Sequence, residues 1–393
     1  MKKIKSLILK KFLIFDFYNN TIIKRTSPPF FKAITNNNTN QTIQFEAKPE
    51  KLNANKGLHY ITYIPPYITT SKYEGLKYRS LYQFIGFLAD ISAYDSLEAY
   101  MGNQFGAKSR SKIRAYCKRL DTCFKTTYKL YYGAIEKQDY QAIMDALETM
   151  ISRRFNQRGD THQAEKDWNY YKETTYQLIL DKKASLFVIY DNNKHIDICL
   201  NYHFNTIMIN YIRAFDIDYA KFRLGYIDIY KQLEWCFDNN HTIFDLGAGV
   251  FSYKKQWCNV TYKFRNDIVN SKTSIFNTCL SFYIHKLLKL KLYLNSKNII
   301  SDKANLSKDV SNSNNNLEES PYYSFNQTPI NANDITSDFI KINIENPEYK
   351  FLRQPVFEYL YLNFENKNTI TIYKINNKPN TFCISGKKCM LLN

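Results

Sequence analysis

The chain has 393 residues, 44% hydrophobic and 16% aromatic, with a formal net charge of +18. That length and apolar content exclude a disordered or fibrous protein and allow two or three domains. The charge invites a polyanion partner, but lysine far outnumbers arginine and Asn, Ile, Tyr and Phe are all abundant, a balance that an AT-biased coding sequence produces unaided.

Met1 to Leu9 joins lysines to an apolar stretch as a signal peptide would, yet Lys10 and Lys11 interrupt it and no small-residue cleavage site follows. No run approaches the roughly 18 apolar residues of a membrane span, so a cytoplasmic location is expected. Residues 1–91 form an N-terminal region with an Asn/Thr-rich break at 37–41. Strand-like pieces stand at Ile43–Phe45 and at His59–Tyr63, the latter ended by Pro65-Pro66, and Leu81–Ile91 is apolar. Lys108, Arg110, Lys112, Arg114, Lys118 and Arg119 form the densest basic cluster. On a helix, Arg110 and Arg114 share a face that Lys118 continues. Asp139–Arg154 and Ala164–Lys182 read as amphipathic helices.

Leu186–Tyr190 is an apolar strand, Asp191-Asn192-Asn193-Lys194 is turn chemistry, and His195–Phe204 alternates as a second strand. Ile207–Phe215 makes a third. Asp216–Gly225 then reads as a loop, Tyr226–Asn239 as a helix with Ile227, Tyr230, Leu233 and Phe237 at helical spacing, and Thr242–Phe244 as a short strand. This strand delivers Asp245, then Gly247 and Gly249, then Tyr253-Lys254 on a helical start. A strand end that points polar groups into a crevice is where α/β folds bind ligands.

Beyond this core, residues 271–300 hold a basic amphipathic helix in which Leu287, Leu288, Leu290, Leu292 and Leu294 stand among lysines. It is either docked on the domain or laid on a membrane surface through 282–294. Residues 301–328 are a Ser/Asn-rich linker, and 329–393 a small β-rich tail with strands at Ile340–Ile344 and Ile370–Ile375. The eight cysteines form no Cys-x-x-Cys pair and have no histidine cluster beside them. Free thiols in a reducing compartment fit that pattern, with neither a disulfide framework nor a metal site expected.

Tyr211-Ile212-Arg213-Ala214-Phe215-Asp216, Tyr219-Ala220, Arg223-Leu224-Gly225, Phe244-Asp245-Leu246-Gly247, Gly249 and Tyr253-Lys254 with Trp257 together resemble the GNAT acyltransferase superfamily, and more narrowly its CelD-like branch. Tyr94–Met101, Lys108–Arg114 and Lys118–Leu120 resemble the basic helix that opens the catalytic domain of that branch. The resemblance covers about Ser92 to Arg265. It implies an α/β (α+β) GNAT fold over 92–270, with 1–91 as a degenerate GNAT-like half by analogy with Fem-type ligases.

The activity so implied is transfer of an acyl group from acetyl-CoA or another acyl-CoA, with no metal, to an amine on a small molecule or sugar precursor of the cell envelope. A helix N-terminus holds pyrophosphate through free N–H groups, which makes Arg213, Phe215, Arg223, Leu224, Gly225 and Tyr226 the candidate donor-binding residues. The acyl carbonyl becomes an oxyanion and needs donors. By the resemblance these are a backbone N–H near Ile212–Phe215 and Lys254, while Tyr253 protonates the leaving thiolate. Asp245 is either a base or the cap of the following turn, and His203 either a base or a packed side chain. Arg213 and Asp216 are expected to form an ion pair. The basic cluster is either a solvated face or a seat for adenosine phosphates, a phosphorylated acceptor or tRNA. Two alternatives stay open: a Fem-like transferase using aminoacyl-tRNA, and an inactive GNAT fold serving as a binding module.

Overall fold

The structure, a computed structural model, describes residues 12–45, 57–158, 167–297, 327–331, 335, 338–376, 378 and 380–393. Met1–Leu9 and nearly all of the Ser/Asn-rich linker lie outside the described residues. In chain order, β1 (Phe12–Asp16) is followed by β2 (Phe31–Asn36), β3 (Thr42–Gln44), β4 (Leu58–Ile64), β5 (Ile68–Lys72) and the long β6 (Leu76–Asp90). Next come α1 (Leu97–Gln104), α2 (Ala107–Cys123), β7 (Thr126–Tyr131), α3 (Lys137–Arg158) and α4 (Trp168–Leu180). The meander follows as β8 (Ala184–Asp191), β9 (Lys194–Phe204) and β10 (Ile207–Phe215). A 3-10 turn (Ile217–Phe222), α5 (Leu224–Asp238), β11 (Ile243–Ala248), α6 (Ser252–Trp257), β12 (Val260–Ser271) and α7 (Ile275–Ser296) complete the central part. The C-terminal part holds β13 (Gln327–Ile330), β14 (Phe339–Ile342), α8 (Arg353–Asn363), β15 (Thr371–Ile375), β16 (Phe382–Ser385) and β17 (Cys389–Leu392). The expected mixed α/β class is what forms.

As far as their residues are described, these elements make two compact units. One draws on Met1–Ala93, Phe204–Ile207 and His241–Asn315, the other on Tyr94–His203, Met208–Asn240 and Asn316–Asn393. The stretch 92–270, expected as one domain, contributes to both.

In the first unit β1 pairs parallel with β4, and β12 lies antiparallel between β4 and β6, with β11 antiparallel on the other edge of β6. Ile243, Phe244, Asp245 and Leu246 of β11 are all buried, so a strand covered on both faces carries one carboxylate. The register of β11 on β6 shifts between Asp245 and Ala248, with Asp245 opposite Leu88 and Ala248 opposite Gly86. Gly86 is required there, because the Tyr262 ring fills the space a Cβ would take. The basic amphipathic helix expected within 271–300 runs over Ile275–Ser296, and the Ser274 hydroxyl accepts the Asn277 N–H as its N-cap.

In the second unit β7, β8 and β9 pair antiparallel. β8 is buried along nearly its whole length, which is why 186–190 reads as an unbroken apolar run. The stretch expected as a loop from Asp216 is ordered: the Asp216 carboxylate accepts the Asp218 N–H and starts the 3-10 turn. One core joins Phe124, Tyr219, Phe222 and Leu224 to Leu352, Val356, Phe357, Leu360 and Phe382. Residues set apart by sequence as an appendage thus share a core with the meander and α5. Their own sheet runs β13-β17-β16-β15-β14.

Candidate active site

Asp245 is fully buried in β11. Its Oδ1 accepts the Gly247 N–H at 2.8 Å and the Tyr262 hydroxyl at 3.0 Å, and its Oδ2 accepts the hydroxyls of Tyr67 at 2.8 Å and Tyr18 at 3.2 Å. Burial pushes its pKa up, opposed by the N–H and the three phenols. The same burial, with the Asp245 charge beside them, pushes Tyr67 and Tyr262 well above the usual phenol range. With both oxygens engaged by donors, the geometry favours the turn cap offered by the sequence over a proton acceptor. The strand also runs on to Ala248, so Asp245 lies inside it rather than at its end.

The turn that Asp245 anchors has left-handed backbone at Gly247 (φ 69°) and Gly249 (φ 108°), where side chains other than glycine are strained. Its carbonyls receive the ammonium of Lys254, with Nζ 2.6 Å from Ala248 O and 3.5 Å from Gly247 O. Lys254 is 5% exposed, and Nζ lies 5.5 Å from the centroid of the Phe251 ring. Tyr253, half-buried, stacks on Phe251 at 6.0 Å. The sequence thus places a carboxylate, two glycines and a lysine that fold into one small device: an anchored turn holding a desolvated cation.

The second unit holds the other candidates. Arg213, expected to pair with Asp216, pairs with Asp228. Its Nη2 donates to Asp228 at 2.6 Å and to Gly225 O at 2.8 Å. Residues three apart along an extended strand face opposite ways, whereas Asp228 sits just inside α5. Gly225 acquires a role different from the expected one: its φ is not left-handed, and a Cβ would lie 3.2 Å from the Arg213 guanidinium. Arg223 is the left-handed residue (φ 59°, ψ 43°) at the N-cap of α5, with its side chain exposed. The helix starts at Leu224, two residues earlier than expected. Burial raises the pKa of Tyr226, and the charges of Arg223 and Lys112 pull it back, so both cations stand near the start of α5. Phe215 is covered by Arg154, 4.8 Å from its ring centroid.

His203 is buried, with Nε2 2.8 Å from Ser185 Oγ and its ring against Tyr132 at 4.5 Å and Trp235 at 5.7 Å. The basic cluster lies on α2 as expected, but much of it is engaged: Arg110 donates to Phe105 O at 2.7 Å, Arg114 pairs with Glu98 at 3.3 Å, and Arg119 lies over Tyr361 at 4.4 Å. Donor atoms of Asp197, Cys199 and Asp228 lie within 4.8 Å of one another. Burial and the neighbouring carboxylates hold the Cys199 thiol well above its usual range, and Arg213 already supplies the cation to Asp228. The trio is therefore a buried hydrogen-bonded cluster, with Cys199 Sγ donating to Asp228 Oδ2 at 3.4 Å.

Sequence reasoning missed Tyr18, Tyr67 and Tyr262, the donors around Asp245, and Asp228, the true partner of Arg213. Only Asp228 carried a local signal, being an acid on the buried face of α5 beside Leu224 and Ile227.

Comparison with curated proteins gives no match. Among solved structures, the chain is similar to FemX at 13% identity, over 60% of this chain and 77% of that one, with a TM-score of 0.41. It is similar to L-PGS from Bacillus licheniformis at 10% identity, over 61% and 75%, with a TM-score of 0.39. A third is the C-terminal (DUF2156) domain of a putative lysylphosphatidylglycerol synthetase from Agrobacterium fabrum, at 12% identity, over 56% and 70%, with a TM-score of 0.38. Residues 107–255, drawn from both units of this mixed α/β fold, match the family model described as Acetyltransferase (GNAT) domain.

Proposed function

We propose that the protein is a CelD-like N-acyltransferase that moves an acyl group, in the simplest case acetyl, from acyl-CoA to an amine on a small molecule or cell-envelope sugar precursor. The observation that carries this reading is that the stretch matching the acetyltransferase domain, 107–255, takes in every candidate from His203 through Lys254. Arg223, Lys112 and the first N–H groups of α5 are assigned to the donor phosphates, with Gly225 and Arg213 shaping that end and Leu224, Phe215 and Tyr226 lining it. Lys254 is assigned to the charge that develops on the acyl oxygen. The amine attacks as its neutral form, the C–S bond breaks, the thiolate takes its proton from Tyr253, and the proton lost by nitrogen returns to Tyr253 through water. Asp245 and His203 are assigned to scaffolding.

Incubating the purified protein with acetyl-CoA and a panel of amines tests this reading by release of free thiol. Thiol release that depends on one acceptor class supports it. Unchanged cellular function in both Lys254→Ala and Tyr253→Phe favours an inactive binding module.

Peripheral membrane contact through α7 belongs to the same proposal. One face of α7 packs Ile284, Leu280, Leu288 and Leu292 on Leu58, Leu81 and Ile268. The opposite face leaves Ile275, Phe276, Phe282, Tyr283, Leu290 and Tyr293 between 49% and 79% exposed, beside Lys286, Lys289 and Lys297 and with no acidic residue in the helix. Among the described residues no helix is long and apolar enough to cross a membrane. Exposed aromatics interleaved with lysines fit an anionic bilayer surface. Co-sedimentation with vesicles rich in phosphatidylglycerol is expected to fall about tenfold in Phe282→Ser/Tyr283→Ser. Equal binding to neutral vesicles, or a dimer that the double variant dissolves, would assign this face to something else.

A further inference from the structure

We infer that α8, through Arg353, positions the turn that presents Arg223 and the start of α5. The inference rests on the donor-binding reading above and deepens it. Asp216 and Asp218 frame the 3-10 turn. The Asp216 N–H donates to Ile196 O at 2.8 Å, and its Oδ1 accepts the Asp218 N–H at 3.2 Å. Both carboxylates are almost wholly buried, and three cations converge on them. Arg153 lies 2.9 Å from Asp216 and 2.7 Å from Asp218, Lys194 lies 2.6 Å from Asp216, and Arg353 stands 3.6 and 3.5 Å from the two.

Arg353 differs from the other two in being buried itself. Its Nε and Nη2 make no hydrogen bond and act on the pair by charge at ion-pair distance. Burial, with Arg153 nearby, pulls its pKa down to about 10, and burial holds Asp216 and Asp218 up, the latter to about 6. Taking one cation out of such a cluster leaves buried carboxylates less compensated.

Apolar contacts complete the dock. Phe357 of α8 packs on Phe124 at 5.0 Å and on Tyr219 of the turn at 4.6 Å, and Tyr361 packs on Phe222 at 5.2 Å. Lys221 of the turn pairs with Glu358. The turn ends at Arg223, whose left-handed backbone persists only where its surroundings impose it. The Arg223 carbonyl accepts the Tyr226 N–H at 2.8 Å and opens α5. Whatever fixes 217–222 therefore fixes where Arg223 and the first amides of α5 point, and α8 supplies that fixture from the C-terminal part of the chain.

Hydrogen–deuterium exchange on the full chain tests this without any ligand, by comparing wild type, Arg353→Gln and Arg353→Lys. Arg353→Gln is expected to speed exchange of the 217–227 amides about tenfold while β8 and β9 stay protected, with Arg353→Lys within about twofold of wild type. Should Arg353→Gln fail to fold, Lys221→Met loosens the same dock more mildly and is expected to raise exchange in the same segment about threefold. In turnover, Arg353→Gln is expected to raise KM for acyl-CoA about tenfold with kcat within about twofold. Unchanged exchange at 217–227, or a rise spread evenly over β8–β10, overturns the inference. If the local rise appears but wild type does not bind CoA, the donor reading fails and the positioning role of α8 stands.

Discussion

Asp245→Asn is expected to lower the unfolding free energy by about 1–3 kcal/mol, since it leaves one acceptor oxygen where four donors now share two. Three phenols and one backbone N–H point at the carboxylate, and asparagine offers a single acceptor oxygen together with an NH2 group that a phenol can accept only by giving up its own donated bond here. The loss falls on fully buried groups, where an unmet donor costs about 1–3 kcal/mol. Urea denaturation of wild type and variant, at matched slope, reads this directly. A variant as stable as wild type but devoid of transfer activity would return Asp245 to the role of base, because an anchor must show itself in stability first.

Lys254→Ala is expected to lower kcat about 10²–10³-fold, the range found when one preorganised donor to a developing oxyanion is removed. The argument rests on where the cation sits. Lys254 is 5% exposed and its ammonium is fixed by two turn carbonyls, so its charge acts at low local dielectric and needs no reorganisation during the reaction. Lys254→Arg keeps the charge but brings a planar fork to a place built for a compact ammonium, and should recover only part of the rate. A thermal melt separates the two ways Lys254→Ala can fail, because loss of turn geometry lowers Tm as well as kcat. An unchanged rate would remove Lys254 from the chemistry.

Elements whose order is set by local pattern were legible in the sequence. The three-strand meander, the two helices before it, and the glycine turn with its carboxylate announce themselves through apolar periodicity and turn residues, whereas α2 was expected through the family resemblance. What stayed hidden depends on long-range company. Tyr18 and Tyr67 reach Asp245 across 227 and 178 positions, and nothing near either tyrosine marks it as a donor to that carboxylate. Gly225 looked like a phosphate-loop glycine, but the steric reason visible in the structure is the Arg213 guanidinium, an assignment that needs the strand and the helix packed together. Arg353 and Phe357 carried no signal either, because their meaning comes from Asp216, Asp218 and Tyr219, more than a hundred residues earlier in the chain. The Asp216–Gly225 stretch read as a loop because its turn is stabilised by one side-chain cap and a buried ion cluster rather than by periodicity.

Calorimetric titration of the purified full chain with CoA bears most directly on acyl-CoA chemistry. One saturable site is expected, with affinity reduced at least about tenfold in Arg223→Glu at unchanged Tm. Absence of any CoA binding by the wild type, together with aminoacyl-tRNA binding that weakens steeply with salt, would contradict it.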